Sequence, residues 1–144
     1  MQFLVQLHDL CYAVDNGGAV NSYTGSWTTS PLVEAQGYLS AITCFSDLFC
    51  MAGGGFGYGV TYNNGDWTAI KPFPESAEII GISCASESSC AAINLGNLFI
   101  YSDGAWGGAI NVDSNTNLNA ISCVPNGTLC MLVDGSGYAL QYQP

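Results

Sequence analysis

The chain has 144 residues, 49% of them hydrophobic and 8% charged, with 11 acidic side chains against a single basic one, Lys71, for a net charge of −10. That length and apolar content suit one packed domain, read here as a single unit over 1–144, rather than a disordered segment. Without arginine the composition argues against gripping phosphates, so no nucleic-acid partner and no binding to an anionic membrane are predicted, and no apolar run approaches the ~18 residues of a membrane helix.

Taken in order, four similar segments follow one another, at approximately 1–38, 39–78, 79–117 and 118–144. The first opens at Gln2-Phe3-Leu4-Val5 and continues with Cys11-Tyr12-Ala13-Val14 and Tyr23-Thr24-Gly25-Ser26-Trp27. The second runs through Leu39-Ser40-Ala41-Ile42-Thr43-Cys44, Cys50-Met51-Ala52, Gly59-Val60-Thr61-Tyr62 and Gly65-Asp66-Trp67. The third repeats it with Ile80-Gly81-Ile82-Ser83-Cys84, Cys90-Ala91-Ala92-Ile93, Leu98-Phe99-Ile100-Tyr101 and Asp103-Gly104-Ala105-Trp106. The fourth has Ala120-Ile121-Ser122-Cys123, Cys130-Met131-Leu132-Val133 and Ala139-Leu140-Gln141-Tyr142, with no Gly-x-Trp ending. With Cys11, Cys50, Cys90 and Cys130 in register the steps are 39, 40 and 40 residues. A period of this size marks repeated supersecondary units.

Each unit holds three or four short runs of β-branched, aromatic and small residues, broken by Gly, Asn, Asp and Ser, with no sustained helical stripe. These runs predict strands. Asp15-Asn16-Gly17-Gly18 and Asp134-Gly135-Ser136-Gly137 predict the turn between second and third strands, and Asp15, Asn94 and Asp134 are read as turn formers. Thr24-Gly25, Asn64-Gly65 and Asp103-Gly104 predict tight hairpins to a fourth strand that a tryptophan opens.

Cys44 and Cys50, Cys84 and Cys90, and Cys123 and Cys130 each close one strand and open the next, which brings the two sulfurs together across a short hairpin. Disulfides are the natural expectation, because structural zinc prefers tighter cysteine pairs or histidines and the chain has one histidine, His8. Each small loop is worth about 2 kcal/mol by chain entropy. Such bonds point to an oxidising compartment, hence a secreted protein or one at an extracellular surface. Val5 takes the place of the partner of Cys11, which is left either buried and reduced or free to join another subunit. The first repeat begins at the first residues, with no basic flank of a signal peptide ahead of it.

Four antiparallel strands per ~40 residues with one glycine-tryptophan signature are the cues of a propeller blade. The Tyr-Ser-Asp-Gly-Ala-Trp stretch at 101–106 resembles a shortened Asp-box hairpin, and the paired-cysteine unit is similar to repeats of secreted bacterial β-propellers and, in layout, to the blades of propeller lectins. The expected fold is therefore all-β, a propeller of four ~40-residue, four-stranded repeats with the last truncated. Since the fourth repeat lacks its last strand, three arrangements remain: a four-bladed ring with one thin blade, two chains joined into a seven- or eight-bladed ring, or an open segment that adds to others. Self-association into a homo-oligomer is the favoured expectation.

Catalysis is not expected. Propeller sialidases grip a carboxylate with arginines, which this chain lacks. His8 beside Asp9 lies in the least regular repeat, and Glu34, Glu75, Glu78 and Glu87 show no spacing that pairs two carboxylates for glycoside hydrolysis. No cofactor is implied, and no carboxylate loop is dense enough for calcium. Asn126-Gly127-Thr128 fits an N-glycosylation acceptor in a eukaryotic protein. The recurring Trp27, Trp67 and Trp106, with Tyr23, Tyr62 and Tyr101 and the turn residue Asp103, suit stacking on a carbohydrate; packing between sheets as core is the commoner role of a tryptophan repeated in each blade. The sequence thus predicts a non-catalytic, multivalent glycan-binding module of lectin type. The alternative is a structural subunit that assembles into an extracellular filament or surface layer.

Overall fold

The computed structural model describes residues 10–30, 37–70, 72–73, 77–112 and 117–143, together with the backbone of 2–7. His8, Asp9, Glu34, Lys71 and Glu75 lie outside the described residues. Four antiparallel sheets follow one another along the chain. The first joins β1 (Gln2–Leu7), β2 (Leu10–Val14), β3 (Val20–Tyr23) and β4 (Trp27–Thr29), and the second β5 (Leu39–Ser46), β6 (Phe49–Gly54), β7 (Gly59–Asn63) and β8 (Asp66–Ile70). The third joins β9 (Gly81–Ser86), β10 (Ser89–Ile93) and β11 (Asn97–Ser102), whose far edge pairs with both β12 (Ala105–Trp106) and β13 (Ile110–Asn111). The fourth has three strands, β14 (Leu118–Cys123), β15 (Cys130–Asp134) and β16 (Ala139–Tyr142). The architecture is all-β, and the repeated sheets resemble propeller blades.

The first strands of successive sheets lie side by side, β1 on β5, β5 on β9 and β9 on β14. Among the described residues β14 does not pack on β1 in the same way, so the four sheets form an arc. Side chains alternate across a strand, and in the two central sheets both faces meet a neighbouring sheet, which is why β6 and β10 are apolar almost throughout. Tyr12 and Val14 of the first sheet pack with Ile42, Cys50 and Ala52 of the second. Phe49 and Met51, from the opposite face of that second sheet, pack with Ile82, Cys90 and Phe99 of the third. Ala91 and Ile93 then pack with Leu118, Cys130 and Leu132 of the fourth. Wholly burying a side chain such as Phe99 contributes roughly 1.5–3 kcal/mol, so these boundaries hold the arc together.

Local chemistry fixes the turns. Asp15 Oδ1 accepts from the backbone N–H of Gly17 at 2.8 Å and of Ala19 at 3.1 Å. Asn94 Oδ1 accepts from Asn97 N–H at 3.0 Å, and Asp134 Oδ1 from Ser136 and Tyr138 N–H at 2.9 and 2.8 Å. These are the turn formers expected from sequence. The second sheet places Gly54 there, and a Cβ on Gly54 would fall 1.7 Å from the Tyr38 carbonyl oxygen. Asn64-Gly65 and Asp103-Gly104 form two-residue hairpins with positive φ at both positions (51° and 113°, 50° and 89°), as type I′ turns require. Thr24-Gly25 differs: Tyr23 pairs with Trp27, leaving a three-residue loop of Thr24, Gly25 and Ser26.

All three expected disulfides form, Cys44–Cys50, Cys84–Cys90 and Cys123–Cys130, each between directly opposed strand residues whose Cα atoms lie 3.9, 3.9 and 4.0 Å apart. Cys11 is free and half-buried. The residue opposite Cys11 is Gln6, because β1 and β2 pair in unbroken register from Leu7 and Leu10, without the bulge that lies between turn and cysteine pair in the second and third sheets; Val5 sits opposite Tyr12. The expected cysteine-to-valine replacement is thus displaced by one position.

Candidate functional site

The predicted ligand residues occupy the hairpin between third and fourth strands, where a tyrosine lies directly opposite a tryptophan: Tyr23 and Trp27, Tyr62 and Trp67, Tyr101 and Trp106. The ring centroids are 5.3, 5.1 and 5.4 Å apart, so each repeat builds the same aromatic pair. Their surroundings differ. Trp67 meets Tyr12 of the preceding sheet edge-on at 5.5 Å, and Tyr62 lies 5.9 Å from the same ring. Trp106 meets Phe73 at 4.7 Å, and Phe73 in turn meets Phe99 at 5.2 Å. The Trp106 Nε1–H is buried without a hydrogen-bond partner among the described residues. Trp27, with no sheet ahead of its own, is 54% exposed. Asp103 supplies the positive φ of its hairpin.

A groove between the second and third sheets is lined by Thr61, Asn63, Thr68, Tyr101 and Trp106 among others. Among the described residues its wall offers hydroxyl, amide and ring surfaces and no carboxylate, imidazole, thiol or amine. Among the described residues no group of three or more His, Cys, Asp and Glu side chains is placed to hold a metal. Glu78, one of the candidate acids, accepts a hydrogen bond from Tyr38, which pushes that phenol up to about 12. Glu87 accepts one from Ser46 Oγ at 2.6 Å across the boundary between second and third sheets. Both carboxylates therefore act as local ties.

Two surfaces went unnoticed in the sequence. The face of the fourth sheet that points away from the third carries Val124, Met131 and Val133, exposed by 49, 40 and 43%. Their counterparts one repeat earlier, Ala85, Ala91 and Ile93, are 4, 2 and 0% exposed because the fourth sheet covers them. The second surface is a row formed by Phe56, Leu95 and Tyr138, exposed by 61, 53 and 71%. All three sit in the turn between second and third strands, in three successive sheets, so they share one side of the arc.

No protein-family model matches the sequence, and no curated protein matches it. The fold does have solved counterparts. The structure of U3-55K superposes with a TM-score of 0.76 at 12% identity, and the crystal structure of the RRP9 WD40 repeats with 0.75 at 13%; each covers 94% of this chain and 46% of the other. The chain thus spans about half the length of these two. The computationally designed Ika4 protein superposes at 0.73 with 11% identity, over 97% of this chain and 88% of that one. At these identities the likeness is one of fold: the successive sheets superpose on those of the RRP9 WD40 repeats and of U3-55K.

These comparisons correct several expectations. The resemblance to secreted bacterial propellers, Asp-box repeats and propeller lectins gives way to likeness with WD40-repeat structures. The glycan-binding function and the carbohydrate partner, argued from the recurring aromatic residues, and the filament or surface-layer alternative, argued from the incomplete last repeat, are withdrawn in the face of these counterparts. So is the secreted or extracellular location. Three disulfides do not fix an address, since bond formation follows the local redox potential and the spacing of the two sulfurs. The exclusion of nucleic acid is withdrawn as well; it rested on net charge, whereas bases also stack on exposed aromatic rings, an interaction that needs no cation.

Proposed function

We propose that this chain is a non-catalytic interaction scaffold, a single domain of four propeller blades that forms part of a larger ring and holds a partner protein on one side. The observation that carries the proposal is the row of Phe56, Leu95 and Tyr138 on equivalent turns of three successive sheets. Isolated exposed apolar residues need no explanation, but a row repeated at one structural position, rimmed by polar turns, is characteristic of a protein contact. The net charge of −10 favours a partner with a basic rim around an apolar centre. The paired aromatic residues Tyr62–Trp67 and Tyr101–Trp106 join blade to blade in this reading.

Fluorescence anisotropy with two amphipathic helical peptides, sharing their apolar residues but carrying either lysine or glutamate, tests it. The lysine peptide should bind, weaken with added salt, and lose at least tenfold affinity with the Phe56→Ser/Leu95→Ser/Tyr138→Ser variant. Equal binding of both peptides, or binding indifferent to the three substitutions, overturns the proposal.

A further inference from the structure

We infer that a second copy of this chain completes the ring, the first blade of each copy seating on the fourth blade of the other about a two-fold axis. The inference rests on reading the arc as part of a propeller, and it names what fills the rest.

The argument is one of equivalence between free and buried faces. Each internal boundary is made by the forward face of one blade and the rear face of the next, and the strand register identifies the residues of both. Met131 and Val133 occupy in β15 the places of Ala91 and Ile93 in β10, which the fourth blade buries. Tyr23 and Trp27 occupy the places of Tyr62 and Trp67, which pack on the blade before them. The described residues therefore leave uncovered one forward face and one rear face of the kinds they already join three times.

A polar contact is prepared too. Ser83 Oγ accepts the Cys123 N–H of the following blade at 2.9 Å. Ser122 stands opposite Met131 as Ser83 stands opposite Ala91, and it is exposed. The counterpart of Cys123 in the first blade is Gln6, opposite Cys11 as Cys123 is opposite Cys130. In the ring, Ser122 Oγ of one copy accepts the Gln6 N–H of the other.

Size and charge agree. Val124 and Met131 are bulkier than Ala85 and Ala91, and the blade they would meet is the one without a disulfide, since Cys11 is free. None of Cys11, Tyr23, Trp27, Val124, Met131 and Val133 is charged, in a chain of net charge −10. Head-to-tail contacts close when the rotation per copy divides a full turn and otherwise run on as a filament. The arc superposes on 46% of U3-55K and of RRP9, so chains with this curvature have room for about as much again, and two copies close.

The test is light scattering on the non-reduced chain, with alkylation of Cys11 as a second reading. A mass of twice 15.1 kDa, independent of concentration well above the dissociation constant, is expected, with Cys11 protected. Val133→Asp, at an exposed site that should leave the blade folded by circular dichroism, should return the mass to one chain and speed alkylation at least tenfold. A folded wild-type monomer with reactive Cys11 overturns the second copy and leaves the arc intact. A monomer with Cys11 protected overturns both this inference and the arc itself. Polymers that grow with concentration, or a dimer unaffected by Val133→Asp, overturn the closed ring.

Discussion

Trp67 meets Tyr12 edge-on across the boundary between the first two blades, the ring centroids 5.5 Å apart and the planes at 81°. This arrangement sets the positive ring edge against the negative face of its neighbour, worth ~0.5–1.5 kcal/mol beyond the area buried. Trp27 holds the same position in the first blade, is 54% exposed, and among the described residues meets only the ring of Tyr23 in its own hairpin. The two residues form an internal control: same residue, same strand position, different neighbour.

From that pair, Trp67→Ala should cost about 2–4 kcal/mol of unfolding free energy, since it removes a large ring from a packed boundary. Trp27→Ala should cost under about 1 kcal/mol in the monomeric Val133→Asp background, where its face stays uncovered. Urea titrations of both variants in that background check the ordering. Equal costs would mean that the tryptophans act within their own hairpins and not between blades.

Gly54 predicts a larger effect from a smaller change. Its would-be Cβ falls 1.7 Å from the Tyr38 carbonyl oxygen, which is backbone and cannot step aside. That carbonyl accepts the Gly55 N–H at 3.0 Å, tying the turn to the start of β5. Gly54→Ala should destabilise by ~3 kcal/mol or more. Asp15→Ala, at the equivalent turn of the first blade, should cost about 1 kcal/mol for its lost backbone hydrogen bonds. Thermal melts of the two variants should show the first shifted several times further.

Much of this was legible in the sequence because it is local. The cysteine pairs, Asn64-Gly65, Asp103-Gly104 and the Asx turns at Asp15, Asn94 and Asp134 each depend on residues within a few positions, and each forms as expected. What failed depended on neighbours far along the chain or outside it. Trp27 and Trp67 differ locally only in their hairpins, a three-residue loop against a two-residue turn, and neither hairpin says whether another sheet lies against the ring. Met131 and Val133 read as ordinary core because every second strand is apolar on both faces, so the pattern cannot say which face is covered. The partner of Cys11 was misplaced by one position because the bulge beside the cysteine pairs of the second and third sheets is missing between β1 and β2, and its absence leaves no trace in composition. Location and partner were inferred from disulfides and charge, which report on redox chemistry and mean field rather than on a binding surface.

The disulfides offer a prediction independent of those inferences. Replacing Cys84 and Cys90 together by Ala removes a bond between buried residues of the central boundary. The loop it closes is short, so chain entropy assigns it about 2 kcal/mol. Urea titration should show that loss in the double variant, while dithiothreitol, acting on all three bridges, should lower the midpoint of the parent protein further. A midpoint unchanged by reductant would show that the blades hold by packing alone.

Alkaline titration reads the first boundary from within. Burial, reinforced by the Tyr62 hydroxyl and then by Asp47, pushes the Tyr12 phenol from 10.0 up to about 12. The unfolded chain therefore sheds this proton near pH 10 while the folded chain keeps it, and the state that binds more protons loses ground as pH rises. Stability due to Tyr12 is whole below pH 10 and declines through pH 12. Tyr38, held up to about 12 first by its hydrogen bond to Glu78 and then by burial, declines over the same window. Urea midpoints at several pH values between 9 and 12 should fall, and the fall should be shallower in Tyr12→Phe, which keeps the ring against Trp67 and removes the ionisable group. A decline of the same steepness in that variant would place the alkaline sensitivity elsewhere, and with it the claim that Tyr12 is shielded by the second blade.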